Sequence, residues 1–171
     1  MNVNIFFLVL LGGLMMIYFF FKPLEIKEQK FVDVPLFELS TFTLYELNTE
    51  HLETIMSGTK TVRYSDRYTV KDVNYTDNSQ EYIANMRAND AIYQDDTIKL
   101  NGDVVYKRED GLSFETKKVL YNKKTNIAYT DDDFISYYEG NVIKGSSLRY
   151  NNLTKQTDST QVNVTYNLKG I

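Results

Sequence analysis

The groups that usually carry chemistry are few in this chain and far apart. His51 is the only histidine, and there is no cysteine. One imidazole without a thiol or a second histidine makes neither a zinc site nor a nucleophilic triad. His51 therefore reads as a surface residue. Asp131-Asp132-Asp133 has the carboxylate density of a cation loop, but it lacks the glycine and the distal glutamate of an EF-hand. It reads as a solvated turn, and so does Asp95-Asp96. There is no Gly-rich phosphate loop and no nucleophile elbow. The chain is expected to be no enzyme and to use no cofactor and no metal. Two basic pairs, Lys117-Lys118 and Lys123-Lys124, lie near a strand end. They can meet anionic head groups or simply be solvated. Asp72-Val73-Asn74-Tyr75-Thr76 fits an N-x-Thr glycan acceptor with an acidic residue two before the asparagine.

The elements that must position any site are clearest at residues 98–122. Ile98, Leu100, Val104 and Tyr106 share one parity, while Lys99, Asp103, Val105 and Lys107 share the other. Such alternation is what a half-buried antiparallel strand requires. Arg108 to Gly111 forms a polar turn, and Leu112, Phe114 and Thr116 restart the pattern. A weaker copy follows, with Gly102-Asp103-Val104 echoed by Gly140-Asn141-Val142 and Leu120-Tyr121-Asn122 by Arg149-Tyr150-Asn151. A repeated hairpin implies stacked hairpins, each burying a face that it cannot bury alone.

The chain has 171 residues and a net charge of −4, which suits one main domain and gives no field for nucleic acid. Residues 3–21 carry no charge and would span about 28 Å as a helix, close to the ~30 Å hydrocarbon core of a bilayer. Lys22-Pro23 ends the run. A cleaved signal peptide would have a basic start and small residues at the cleavage site, whereas Phe20, Phe21 and Leu24 are bulky. A retained anchor over residues 1–21 is therefore expected, with a linker at 22–36 and a β-domain over 37–171. Lys22, Lys27 and Lys30 follow the helix and nothing basic precedes it, against the positive-inside rule for an exported domain. Long domains cross largely regardless of charge, so the β-domain is still placed outside. Gly12-Gly13 either makes a smooth patch where another membrane helix can approach or is simply the glycine common in membrane helices.

Downstream, 37–39 and 42–45 are short strand candidates. Residues 48–58 read either as a short helix or as a hairpin arm. A strand is expected over 61–70 and a turn over 74–80. Another strand covers 81–93, with a kink at Ala88-Asn89-Asp90. Strands follow at 127–130, 134–142 and 148–151, and a turn at 156–160. Val162, Val164, Tyr166 and Leu168 close the chain with strict alternation. Many short strands at near-regular spacing point to an all-β architecture.

This layout resembles the LptC family of lipopolysaccharide-export proteins with their OstA-like β-domain. The residues that carry the likeness are Leu100-Asn101-Gly102-Asp103-Val104, Gly111-Leu112-Ser113-Phe114-Glu115-Thr116, Leu120-Tyr121-Asn122, and Tyr138-Glu139-Gly140-Asn141-Val142 through Leu148-Arg149-Tyr150. Ala88-Asn89-Asp90-Ala91-Ile92-Tyr93 is similar to the family's Ala-rich strand. Residues 31–78 match more weakly, and the missing N-terminal basic residues depart from the family's usual start. The resemblance implies a half-open antiparallel β-jelly roll anchored in the inner membrane with its C-terminal domain in the periplasm. It implies a carrier that takes lipopolysaccharide from an ABC transporter (LptB, LptF and LptG) and passes it to an LptA-like periplasmic bridge protein. On that footing Leu100, Val104, Leu112, Phe114, Val142 and Leu148 form an inner face for acyl chains. Val162, Val164, Thr165, Tyr166 and Leu168 form an edge for the bridge protein, and Gly12 and Gly13 face the transporter. The rival expectation is a membrane-anchored structural or adhesion module with a closed core and no lipid. The pattern alone does not separate a trough from a filled core.

Overall fold

The structure is a computed structural model that describes residues 3–20, 33–49 and 51–167. The Lys22-Pro23 stop, most of the linker and Leu168 lie outside these. The chain divides into two compact units, Met1–Phe31 and Val32–Ile171. In the first, Val3–Phe20 forms helix α1, whose apolar side chains are all exposed. Its length and mean hydropathy of 2.3 are those of a membrane-crossing helix.

The second unit is a half-open antiparallel β-jelly roll of twelve strands. Six long strands form a meander: β1 (Phe37–Leu47), β2 (Leu52–Arg63), β3 (Tyr68–Asp77), β4 (Ala84–Gln94), β5 (Thr97–Arg108) and β6 (Ser113–Asn122). Six short strands follow: β7 (Ile127–Thr130), β8 (Phe134–Tyr138), β9 (Asn141–Gly145), β10 (Ser147–Asn151), β11 (Gln156–Thr160) and β12 (Asn163–Thr165).

Strands β1, β3 and β5 break near their middles, β4 is bulged beside them, and these irregularities line up across the sheet. Thr41, Asp72, Gly102 and Asp103 have positive φ, and the β4–β5 and β5–β6 registers shift beside them. Asp tolerates that left-handed geometry better than most residues because its side chain bonds locally. Thr59 donates to Asp72 at 2.6 Å, and Asn89 donates to Asp103 at 3.2 Å. Gly102, at φ +75°, has no room for a side chain, since a Cβ there would lie 2.6 Å from Asn89 Nδ2. Bulges of this kind bend a strand and raise its twist. The line of breaks is thus a crease that folds one sheet into two facing layers.

Beyond β6 the crease is made differently. Residues 120–122 of β6 pair with β7, which leads to β10 and β11. Residues 113–116 pair instead with β8, which leads to β9 and β12. Each short strand serves one layer, and the β7–β8, β9–β10 and β11–β12 connections cross between layers. Asp131–Asp133 is the first crossing. There Thr116 and Thr130, both buried, lie hydroxyl to hydroxyl at 3.3 Å, and Thr116 donates to the Asp133 carbonyl at 3.0 Å. Gly145 is the second crossing, where a Cβ would lie 2.6 Å from the Phe134 ring.

The core sits along the crease. Val70, Val73, Ala88, Leu100 and Val104 form it. Phe42, Met56 and Met86 pack on it from one layer, and Ala91, Ile98 and Val119 from the other.

Several local expectations change. Of the two alternatives at 48–58 the hairpin arm holds, since β2 starts at Leu52 and pairs with β1, and Asn48 Oδ1 accepts from the His51 amide at 2.8 Å at the turn. Residues 61–70 are not one strand, because β2 ends at Arg63 and β3 begins at Tyr68. The single parity of Val62, Tyr64, Tyr68 and Val70 ran through a turn. Strand β3 continues to Asp77 through most of the segment expected to turn. Residues 134–142 split at Glu139-Gly140, whose positive φ values are those of a two-residue hairpin turn. Residues 156–160 are β11 rather than a turn. The internal repeat is visible in detail. Asn122 caps its loop by accepting from the amides of Lys124 and Thr125, and Asn151 does the same for Leu153 and Thr154.

Candidate functional site

Directly paired residues share a face of the sheet, so the register defines what lines the space between the layers. In one layer the inner row runs Leu44, Met56, Tyr75, Met86, Tyr106, Phe114, Ser136, Ile143, Val164, each paired with the next. It crosses the whole layer, from the β1 edge to the β12 edge. Only Ser136 is polar enough to interrupt it, and its hydroxyl is turned to the Ser113 carbonyl at 3.0 Å. The facing layer has a row near the crease that includes Val70, Ala91 and Leu100, with Leu148 beyond Thr130. Its outer row runs Phe37, Arg63, Tyr68, Tyr93, Ile98, Tyr121, Ala128, Tyr150.

The two layers meet through tyrosines. The Tyr75 and Tyr106 phenols are both pushed above the usual phenol range by burial. Tyr121 adds to the shift at Tyr75, and Tyr150 to that at Tyr106, each from the opposite layer. These rings carry large apolar area with one polar tip, which suits a surface that is greasy but not sealed.

Exposure along the inner face is graded. Leu100 is 2% exposed and Val104 is 1%. Leu44, at the β1 end of its row, is 57% exposed, and Val164, at the β12 end, is 38%. The interior is packed at the crease and open toward its edges.

The expected inner-face residues are distributed accordingly. Leu100 and Val104 fill the crease. Leu112, Phe114 and Leu148 lie half-buried on the inner side, and Phe114 stacks on Phe134 at 5.5 Å between centroids. Val142 does not belong with them. It pairs with Tyr137, which pairs with Ser113, so it lies on the outer face, and Ile143 takes the inner position. The two-residue turn at Glu139-Gly140 starts β9 one residue out of step with the sequence parity.

At the C-terminal edge, β12 is shorter than the alternation promised. Thr165 pairs with Val142 and Val164 with Ile143. Val162 and Tyr166 are exposed and flank the strand. The Asn167 amide points back to Asn141 at 3.1 Å. By alternation, the Val164 and Tyr166 amides point away from β9, toward the edge. Gly12 and Gly13 sit mid-helix in α1 with open space around them.

Polar groups gather at the turns that end the two layers away from the crease, where the space between them has its mouth. Arg108 grips Asp110 bidentately at 2.8 and 2.5 Å. That fork raises the Arg108 pKa and holds Asp110 below the usual carboxylate range. On the other layer a cleft of about 270 Å³ opens between the β2–β3 and β4–β5 turns. Its frame is tied together, with Arg67 stacked 4.2 Å over Tyr64 and paired with Asp66 and Asp33, and Gln94 donating to Asp66 at 3.1 Å. Sequence reasoning missed this cleft because its parts come from two turns about thirty residues apart in the chain. Among the described residues no His, Cys, Asp and Glu group could hold a metal ion.

Residues 7–167 match the family profile described as lipopolysaccharide-assembly, LptC-related. No curated protein matches the chain in sequence. Among solved structures it is similar to LptH of Pseudomonas aeruginosa, the LptA-homologous periplasmic component of that organism's lipopolysaccharide transport device. The likeness has a TM-score of 0.51 at 11% identity, over 80% of this chain and 97% of that one. At that identity it speaks for the fold.

Proposed function

The chain belongs to the LptC-related family of lipopolysaccharide-assembly proteins, and from that membership we propose that it is an inner-membrane carrier with its β-domain in the periplasm. Helix α1 anchors it, with residues 1–21 retained. The β-domain takes lipopolysaccharide from the transporter formed by LptB, LptF and LptG, with Gly12 and Gly13 against a transporter helix. It passes the lipid on to an LptA-like bridge protein. No bond is made or broken, and the work is transfer between apolar surfaces.

The observation that carries this reading is the inner row from Leu44 to Val164, apolar but for the tyrosine tips and for Ser136, whose hydroxyl is bonded away to the Ser113 carbonyl, and exposed at both ends. Acyl chains gain about 25 cal/mol for each Å² they remove from water, and a row that stays apolar keeps that gain nearly level along the path. The bridge protein docks by adding a strand to β12 through the residues from Val162 to Tyr166, which continues the hydrogen-bond ladder and the greasy row together.

The test is a two-step assay on the purified full-length chain in detergent. Wild type is expected to retain lipopolysaccharide through gel filtration and to release it to the bridge protein. Val164→Pro removes a backbone donor aimed at the open edge. It should retain the lipid and fail to pass it on, with the fold checked by circular dichroism. Failure of wild type to retain lipid refutes the carrier reading. Unimpaired transfer by folded Val164→Pro places the docking edge elsewhere.

A further inference from the structure

We propose that the cleft at the mouth of the β-domain is a subsite for a phosphorylated sugar, the headgroup of the lipid whose chains the inner face carries. This rests on the carrier reading above and gives it a second point of contact. The cleft stands where the outer row of the inner face runs out into the turns, so a lipid with its chains between the layers has its head here. Tyr68 and Tyr93 line the cleft with centroids 6.3 Å apart. Both rings are more than a third exposed.

A cation lies over each ring. Arg63 sits 5.2 Å from the Tyr68 centroid, and Lys123 sits 5.4 Å from that of Tyr93. Most other cations nearby are consumed: Arg67 by Asp33 and Asp66, Lys124 by Asp96. Arg63 and Lys123 have no ion pair among the described residues; Lys123 stands behind the cleft near Asp96, and Arg63, on the lining, keeps its fork for an outside anion. The guanidinium fork matches phosphate oxygens two at a time. The exposed ring edges and phenol tips of Tyr68 and Tyr93 can meet a sugar ring, and Gln94 and Asp95 beside them can pair with its hydroxyls. The volume decides the size of ligand. About 270 Å³ is just below the ~300 Å³ at which pockets for drug-sized ligands begin. One sugar ring with its phosphate fits, and a whole lipid does not.

The experiment uses the full chain in detergent micelles with ring-labelled tyrosine, observed by NMR. Glucosamine 1-phosphate should shift the Tyr68 and Tyr93 signals saturably. Glucosamine alone and inorganic phosphate alone should each bind about tenfold more weakly or worse, since each offers half of the contacts. The double variant Arg63→Gln, Lys123→Gln should lose the response. A non-saturable response, or an unchanged one in the double variant, overturns the subsite. Equal binding of inorganic phosphate overturns its sugar half. A second arm compares bisphosphorylated lipid A with its dephosphorylated form. Wild type should prefer the phosphorylated lipid about tenfold, and the double variant should not. If wild type retains neither lipid yet binds glucosamine 1-phosphate, the carrier reading fails and the subsite stands. If both proteins retain lipid A equally, the carrier reading stands and the subsite falls.

Discussion

Leu100 and Leu44 are the same residue on the same inner side of one folded sheet, and they live in different environments. Leu100, in the middle of β5, is 2% exposed, while Leu44, on the edge strand β1, is 57% exposed. The difference follows from topology. In the middle of the sheet, the crease brings the two layers together over Val73, Ala88 and Val104. At β1 the sheet ends, and nothing among the described residues pairs with its outer side. A closed sandwich would bury both leucines alike. Here the apolar pattern serves stability in the middle and leaves a wettable apolar rim at the ends, where large exposed residues usually mark an interaction surface.

Substituting the two leucines is the sharpest way to break this comparison. Leu100→Ala empties a filled site and should lower stability by about 2–5 kcal/mol, read as a fall in the urea midpoint. Leu44→Ser should change that midpoint by no more than about 0.5 kcal/mol while reducing lipopolysaccharide retention. Equal stability losses at both positions would mean that the edge is covered after all.

A smaller effect is expected at intermediate depth. Burial raises the pKa of Tyr75 and Tyr106, so above pH ~10 the unfolded chain loses these phenol protons first. Their contribution to stability is level below that pH and falls as pH rises through it. Tyr75→Phe with Tyr106→Phe should flatten the alkaline loss seen in urea midpoints at successive pH values. An unchanged slope would put the alkaline sensitivity at other groups.

Much of this was legible in the sequence. The β5–β6 hairpin, the bulged β4, the turn at Asp95-Asp96 and the internal repeat all follow from strict alternation and turn chemistry. That Leu100 and Val104 share one buried face is legible because the parity of a regular hairpin survives its bulge. Val142 was misplaced because parity cannot be carried across a turn whose length is not known. The strand expected over residues 61–70 failed for the same reason, since Tyr64 to Arg67 turn without a glycine or proline. The crease was hidden because it needs Thr41, Asp72 and Asp103 in left-handed geometry at matching heights on separate strands. The cleft was hidden because Arg63, Tyr68, Tyr93 and Lys123 come together only through register.

The central claim is that the lipid travels on one face of the domain, and neighbouring residues on one strand test it most directly. Phe114 lies in the inner row, paired with Tyr106 and Ser136, while Glu115 pairs with Val105 and Ile135 on the outer side. A photo-crosslinking residue is placed at each position in turn, and the cells are irradiated during lipopolysaccharide export. Capture of lipopolysaccharide at 114 and none at 115 is the predicted result. Equal capture at the two positions would contradict a directional inner face.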